Sequence, residues 1–559
     1  MAATKDLRRT KTLLFDILRP EAGFFQLAIG YGLMIGLLTL AVPFAVQTLI
    51  NTVVYTASIS AVLVISGILF CTLLLYGLFS ALRTRVMEYY ERRIYSRLTA
   101  DLVLKTIQAP HQFFEGRKNT TITHRYFEVM TFQKNMPSLM VDGFALLLQM
   151  LVGLTLVSFY HPFLFAFNVI IVIMMYLIWR TLSTQAKTTA IDLSDSKYAT
   201  AKWLSDISSA HVFFKSRRHI EHAADKTESV INRYVSCHSD HFTFTFSQTV
   251  LFLIIYALAN SALLGLGGIL VVQEQLSVGQ LVAAELIMSA VFLGISRFSV
   301  YLNLYYELYG AAEKLNAVLS LPQEEVHSSG QKLNGHNALS FQQTVLTQAD
   351  ESVLLDMALK ENGKYFVITS QAWQQRKLMT VLKRYESPDT GWIELGGLSL
   401  SDYQTSDLRQ AIAMVDRSLI IECSILEYLR LDASDISEKE IYEVFRHLQL
   451  QSTLKRLEDG LQTQLSQLGH PLQPMEVLLL KTAAAILSKP GVIVLNQHFD
   501  AIPEAIRGII LRYLDTLPVT VLYFTSNPDR TVFDGTVVLS EDSSLITHLP
   551  ESGQGNSHE

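Results

Sequence analysis

Charge is what this chain has least of. Asp, Glu, Lys and Arg make up 17% of its 559 residues, while 50% are hydrophobic and the mean hydropathy is +0.27. A soluble domain carries roughly 25% charged residues, so an ordinary soluble protein is excluded, as is intrinsic disorder, which needs the opposite balance. Cysteine is equally sparse. Cys71, Cys237 and Cys423 are odd in number and far apart, so no disulfide framework is implied and nothing points to an oxidising compartment. With 28 glycines and 14 prolines in this length, collagen is excluded too. The net charge of -6 names no polyanionic partner. No basic patch interleaved with aromatics is present of the kind that single-stranded nucleic acid requires. In CHSDHF, Cys237 and His241 fall on one helical face beside His238, but a zinc site needs a fourth ligand nearby. That segment reads as a solvated helix end, and no metal is expected.

What is abundant is apolar length. Six stretches, near 24–50, 61–83, 137–160, 162–181, 246–272 and 278–299, are long enough to cross about 30 Å of hydrocarbon, which takes roughly 20 helical residues each. Runs such as FLFAFNVIIVIMMYLIW have no polar face to show to water, which argues against a large buried helical core. The basic start MAATKDLRRTKTLL precedes no cleavage pattern, so the first span reads as an anchor. Basic residues stay on the cytoplasmic side. They crowd the segments between spans two and three and between spans four and five. The connections NTVVYTASIS, FYHP and VVQEQLSVG contain none. Both termini are therefore expected in the cytoplasm. The two basic segments, poor in Gly and Pro, read as helical stalks projecting tens of ångströms from the membrane.

Residues 1–320 thus form a transmembrane domain, and 321–337 a polar linker. Over 338–549, short apolar runs (KYFVITS, AIAMVD, GVIVLN, VTVLYFTS) alternate with helical stretches (QRKLMTVLKRY, EKEIYEVFRHLQL, MEVLLLKTAAAIL), the pattern of an α/β domain. Residues 550–559 read as a disordered tail.

This order resembles an exporter-type half-transporter of the ABC superfamily over nearly the whole chain. APHQFFEGRKNT is similar to the family's coupling segment, and GAAEKLNAVLSLP to the lead into its nucleotide-binding domain. VPFAVQTLINTVV and LSVGQLVAAELI resemble type I secretion exporters. DTGWIELGG, TSDLRQAIAMV and SILEYL follow in the family's order. The resemblance implies a membrane α-helical bundle of six transmembrane helices followed by a cytoplasmic α/β P-loop-NTPase-like domain. It further implies a bacterial inner membrane location and work as a homodimer, or as a heterodimer with another ABC half-transporter, beside a periplasmic adaptor protein.

Against that resemblance, the nucleotide-handling positions are altered. Aligned to the family's glycine-rich phosphate loop, which cradles phosphate with backbone N–H groups, Ser370, Trp373 and Gln375 occupy the glycine positions. Arg376 takes the lysine position and Lys377 the hydroxyl position. A tryptophan there is expected to obstruct the phosphate nest, and non-glycine residues do not freely take positive φ. Asn496 and Gln497 stand where Asp and Glu hold magnesium and polarise water. Ser526 stands for the switch histidine, and Asp416 or Arg417 for the γ-phosphate glutamine. The signature segment reads Gln473, Pro474, Met475 and Glu476, with Ala484 for the later arginine. A glutamate facing a γ-phosphate is expected to repel it.

Each ATP site in this family takes its loop from one chain and its signature from the other, so no pairing of this chain is expected to give a hydrolytic site. ATP and magnesium binding are expected to be weak or absent, with no catalytic residues. The leading expectation is a dimeric structural or regulatory component of a secretion-type system. The alternatives are ATP-driven export of a peptide or protein and ATP-independent passage. For the latter, Asp142, Glu285 and Arg297 are the candidate intramembrane polar groups, because charge inside a membrane is costly.

Overall fold

The computed structural model describes residues 19–56, 59–115, 125–324, 330–331, 338–528, 533–539 and 544–548. The amino-terminal segment, the tail at 550–559 and most of the linker 321–337 lie outside the described residues, as do the last five residues of APHQFFEGRKNT. The chain divides into two compact units, Met1–Gln323 and Glu324–Glu559, three residues from the boundary expected from sequence.

In the first unit the helices are α1 (Ala22–Leu38), α2 (Ala41–Thr56), α3 (Ile59–Ile107), α4 (His111–Glu115), α5 (Tyr126–Pro137), α6 (Phe144–Ser158), α7 (Pro162–Ser209), α8 (Arg217–Val272) and α9 (Val278–Leu319). Among the described residues, six segments are long and apolar enough to cross a membrane. The first span is not one helix, because it breaks at Thr39 and Leu40 between α1 and α2. The third is continued from α5 into α6 by a π-turn, Ser138–Gly143.

Helices α3, α7, α8 and α9 run 49, 48, 56 and 42 residues, far beyond the roughly 20 needed to span. Their chemistry changes along the axis. The apolar window of α3 has no buried residue within the protein, with Ile59, Leu63 and Phe70 all exposed, as a lipid-facing surface requires. Lower down the same helix buries Tyr90, Ile94, Leu98 and Leu102 at four-residue spacing. This stripe packs on Val129 and Phe132 of α5 and on Leu308, Ala311 and Leu315 of α9.

The second unit contains β1 (Leu339–Gln348), β2 (Glu351–Ala358), β3 (Lys364–Thr369), α10 (Ala372–Leu382), β4 (Thr390–Leu395), β5 (Leu398–Ser399), α11 (Thr405–Ala411), β6 (Ile412–Val415), β7 (Cys423–Ser424), α12 (Ile425–Arg430), α13 (Glu438–His447), α14 (Gln451–Arg456), β8 (Gln464–Leu465), α15 (Pro474–Leu487), β9 (Val492–Leu495), α16 (Glu504–Asp515), β10 (Thr520–Phe524), β11 (Gly535–Leu539) and β12 (Ser544–His548).

Its main sheet has the order β12-β11-β3-β10-β9-β6, parallel from β11 to β6. A second, antiparallel sheet runs β2-β1-β4-β5. The inner strands are apolar on both faces because both are covered. Ile493, Leu495, Val521 and Tyr523 point into a core with α13, α15 and α16. Val492, Val494, Leu522 and Phe524 alternate with them and join α10 and the second sheet.

Candidate functional site

Strands β3, β10, β9 and β6 are adjacent and parallel, so their carboxyl ends line up along one sheet edge, where ligands of open α/β sheets bind. The residues that follow them are Ser370, Ser526, Asn496 with Gln497, and Asp416 with Arg417. The fold therefore brings these sequence-selected positions together.

At the first of them, helix α10 begins at Ala372, two residues after Ser370, so positions 373 to 377 are helical. None of the described residues from 370 to 377 has a positive φ, and the alternating backbone of an anion nest is missing there. The first turn closes on itself, with Gln374 Oε1 accepting from Ser370 Oγ and Gln371 N–H at 3.4 Å each. Gln374 and Gln375 are buried. Trp373 turns sideways onto the core, and its indole N–H donates to Glu351 Oε2 at 2.5 Å. The expectation that its side chain blocks a nest is thus corrected, because the backbone is helix where the nest would be. Lys377 Nζ pairs with Glu386 at 2.6 Å. Arg376 is exposed, with no ion pair among the described residues.

Asn496 N–H donates to Val415 O at 3.0 Å, and its Oδ1 accepts from His498 N–H at 2.9 Å, so the amide caps the short turn Gln497–Ala501. Gln497 is exposed. Sequence reasoning missed Asp500, which stands at this edge besides Asp416. Its carboxylate accepts from the Tyr523 hydroxyl, from Thr525 Oγ1 at 2.8 Å and from Ser526 N–H at 3.3 Å, with Arg507 3.9 Å away. Its signal was its place on the turn after β9, four residues beyond Asn496.

Asp416 is held as well. Lys481 of α15, 6% exposed, donates from Nζ to Asp416 O at 3.1 Å, Ser418 O at 2.6 Å and Ser418 Oγ at 2.9 Å, and lies 3.4 Å from Asp416 Oδ1. Burial pushes this ammonium below the usual lysine range, and Asp416 opposes that shift without cancelling it. Arg417 beside it is exposed. A lysine in the middle of an apolar helix was the legible sign, and sequence reasoning passed over it.

Gln473, Pro474, Met475 and Glu476 open α15, with Pro474 at the first helical position, where its missing N–H costs nothing. Glu476 does not face outward, contrary to the expectation. It is buried, accepting from Gln473 N–H at 2.8 Å, Thr453 Oγ1 at 2.7 Å and Arg456 Nη2 at 2.6 Å. Desolvation raises its pKa, but those hydrogen bonds outweigh it and hold the carboxyl below the usual range. Repulsion of a phosphate is therefore not its role. It occupies, from within the chain, the anion position that a helix amino end offers.

In the first unit, Asp142 pairs with Arg83 at 3.4 Å, and Tyr301 lies within electrostatic reach of Asp142, Arg83 and Arg297. The structure thus gathers two of the three intramembrane candidates at the stalk end of the spans. Glu285 stands apart, with Oε2 buried and without a hydrogen-bond partner among the described residues. His241 lies mid-helix in α8 and is buried against Thr189 Oγ1 at 3.1 Å, which corrects the reading of CHSDHF as a solvated helix end.

Residues 27–296 match the ABC transporter transmembrane region family. This chain carries an ABC exporter transmembrane domain. A solved bacterial Atm1-family ABC exporter with ATP bound superposes with a TM-score of 0.79 over 94% of both chains at 15% identity, so the exporter fold covers both units. Among curated relatives, the lactococcin transport/processing ATP-binding protein LcnC-like of Lactococcus lactis subsp. lactis (strain IL1403) is 22% identical over 80% of this chain. The alpha-hemolysin translocation ATP-binding protein HlyB of Escherichia coli O157:H7 is 21% identical over 45% of it. The chain spans 64% of the first relative's length and 37% of the second's.

Proposed function

We propose that this ABC exporter chain does not hydrolyse ATP, and that its second unit serves as a structural or regulatory module of a secretion-type export system in the bacterial inner membrane. On this reading the chain is a dimer, with both termini in the cytoplasm and a periplasmic adaptor as a further partner. The carrying observation is α10, which starts at Ala372 and replaces the phosphate-binding loop with helix. The residues do not fit magnesium-ATP. Asn496 and Gln497 bring no charge for the metal. Lys377 is already paired with Glu386, and the amino end of α15 is filled by Glu476. The names of the relatives, lactococcin transport and alpha-hemolysin translocation, support a peptide or protein as cargo of the assembly.

The test uses the purified full chain in nanodiscs. Magnesium-ATP at millimolar concentration is expected to give no saturable binding and hydrolysis no faster than the lipid blank, unchanged by Gln497→Ala. Hydrolysis at rates typical of ABC exporters, lost in Gln497→Ala, overturns the proposal and restores ATP-driven export.

One observation favours a second reading, ATP-independent passage through the bundle. Inside a span, Glu285 keeps a buried carboxylate oxygen without a hydrogen-bond partner among the described residues, the kind of group that marks an ion or substrate path. Loss of transport in Glu285→Gln, with folding intact, supports it.

A further inference from the structure

A cavity of about 570 Å³ opens on the second unit at the amino ends of β9 and β10, the edge opposite to the one that gathers Ser370, Asn496 and Ser526. Pro490 and Gly491 lead into β9 there, and Leu517, Pro518 and Val519 lead into β10. The volume lies within the roughly 300–1,000 Å³ of small-molecule sites.

Its floor is apolar and buried, formed by Val444 of α13, Ile486 and Leu487 at the end of α15, Ile493 and Val519. Tyr513 of α16 forms part of the wall, its ring fixed by stacking on His447 at 4.1 Å between centroids. Three charged side chains stand at the mouth. Lys489 lies 3.7 Å from Glu440, whose carboxylate also accepts from Ser437 N–H and Ser437 Oγ, so this pair is internally compensated. Glu443 is exposed and has no hydrogen bond or ion pair among the described residues. The mouth therefore carries one uncompensated negative charge above an apolar, aromatic-walled cavity.

We propose that this cavity binds a small organic cation with an apolar body, the body on Val444, Ile486 and Val519 and the cationic group at Glu443 beside Tyr513. Burial of the body supplies the affinity, and the carboxylate with the tyrosine ring selects for positive charge. The cavity lies at the other end of the strands from the candidate nucleotide positions.

The probe is 4-phenylbutylammonium, compared with the neutral 4-phenylbutanol, titrated by saturation-transfer NMR onto the full chain in nanodiscs of zwitterionic lipid. The ammonium is expected to bind saturably and at least about tenfold more tightly than the alcohol. Glu443→Gln is expected to remove that preference and leave the weaker binding. Glu443→Lys, a change at an exposed helix position that leaves the core untouched, is expected to abolish binding of the ammonium, and Val444→Trp to fill the cavity and abolish both. No saturable binding to the wild type at millimolar probe overturns the proposal. So does a preference for the ammonium that persists in Glu443→Gln or Glu443→Lys.

Discussion

At the amino end of α15 the helix dipole favours one negative charge, and Glu476 supplies it from inside the chain. The same carboxylate satisfies Gln473 N–H, Thr453 and Arg456, and it sits 6% exposed, so its removal leaves three donors without that acceptor. Glu476→Gln is expected to cost about 1–3 kcal/mol at pH 7, combining a lost charged hydrogen bond with a weakened cap. The pH dependence follows from the sign of the shift. The folded-state pKa is lowered, so the stability due to Glu476 is complete above the ordinary value of 4.5 and is lost as pH falls through the lower folded value. Denaturant unfolding of the full chain should show a constant gap between wild type and variant from pH 7 to 5 that narrows below 4.5. A gap that stays constant into the acid range refutes the assignment.

Among the helices, close approach is set by glycine. A Cβ on Gly153 of α6 would lie 2.5 Å from Val291 Cγ2 and 3.3 Å from Ile287 Cγ2 of α9, whereas one on Gly265 of α8 meets nothing within 4 Å. Gly153→Leu is therefore expected to separate α6 from α9 at a cost of about 1–3 kcal/mol, and Gly265→Leu to stay within about 0.5 kcal/mol of wild type. Thermal unfolding in detergent distinguishes them, and equal midpoints refute the packing argument. Element existence was legible because membrane length and strand apolarity are one-dimensional signals: all six spans and the strands β3, β6, β9 and β10 fall where the runs are. The break at Thr39 was not legible, because the run stays apolar across it, whereas the π-turn at Ser138 follows Pro137 and contains Asp142, signs that sequence reasoning did not use. The start of α10 was hidden for another reason. Alignment to a loop assumes that a loop persists, yet Trp373, Gln375 and Arg376 are acceptable helix residues and continue α10 toward its amino end. The inward turn of Glu476 needed Thr453 and Arg456, twenty or more residues away, to be seen beside it.

For the whole molecule the question is whether the altered positions act singly or as two halves of one site. Ser370 to Lys377, Asn496 and Gln497 lie at the strand ends, whereas Gln473 to Glu476 open a helix that meets this edge at Lys481, more than a turn further along. On the proposed function and the family resemblance, these halves meet across chains in a dimer, so repairing one alone is not expected to give hydrolysis. The combined variant Ser370→Gly, Trp373→Gly, Gln375→Gly, Arg376→Lys, Lys377→Ser, Asn496→Asp and Gln497→Glu removes helix propensity by about 1 kcal/mol at each glycine, which is expected to free the first turn of α10. It should gain saturable magnesium-ATP binding without turnover. Adding Gln473→Ser, Pro474→Gly, Met475→Gly, Glu476→Gln and Ser526→His should bring hydrolysis above the lipid blank, while those five changes alone should give neither binding nor turnover. Isothermal titration and phosphate release on the same nanodisc samples separate the outcomes. Turnover from the first set alone would mean that Gln473 to Glu476 already work as a signature, and that the loss in this chain lies in its phosphate loop only.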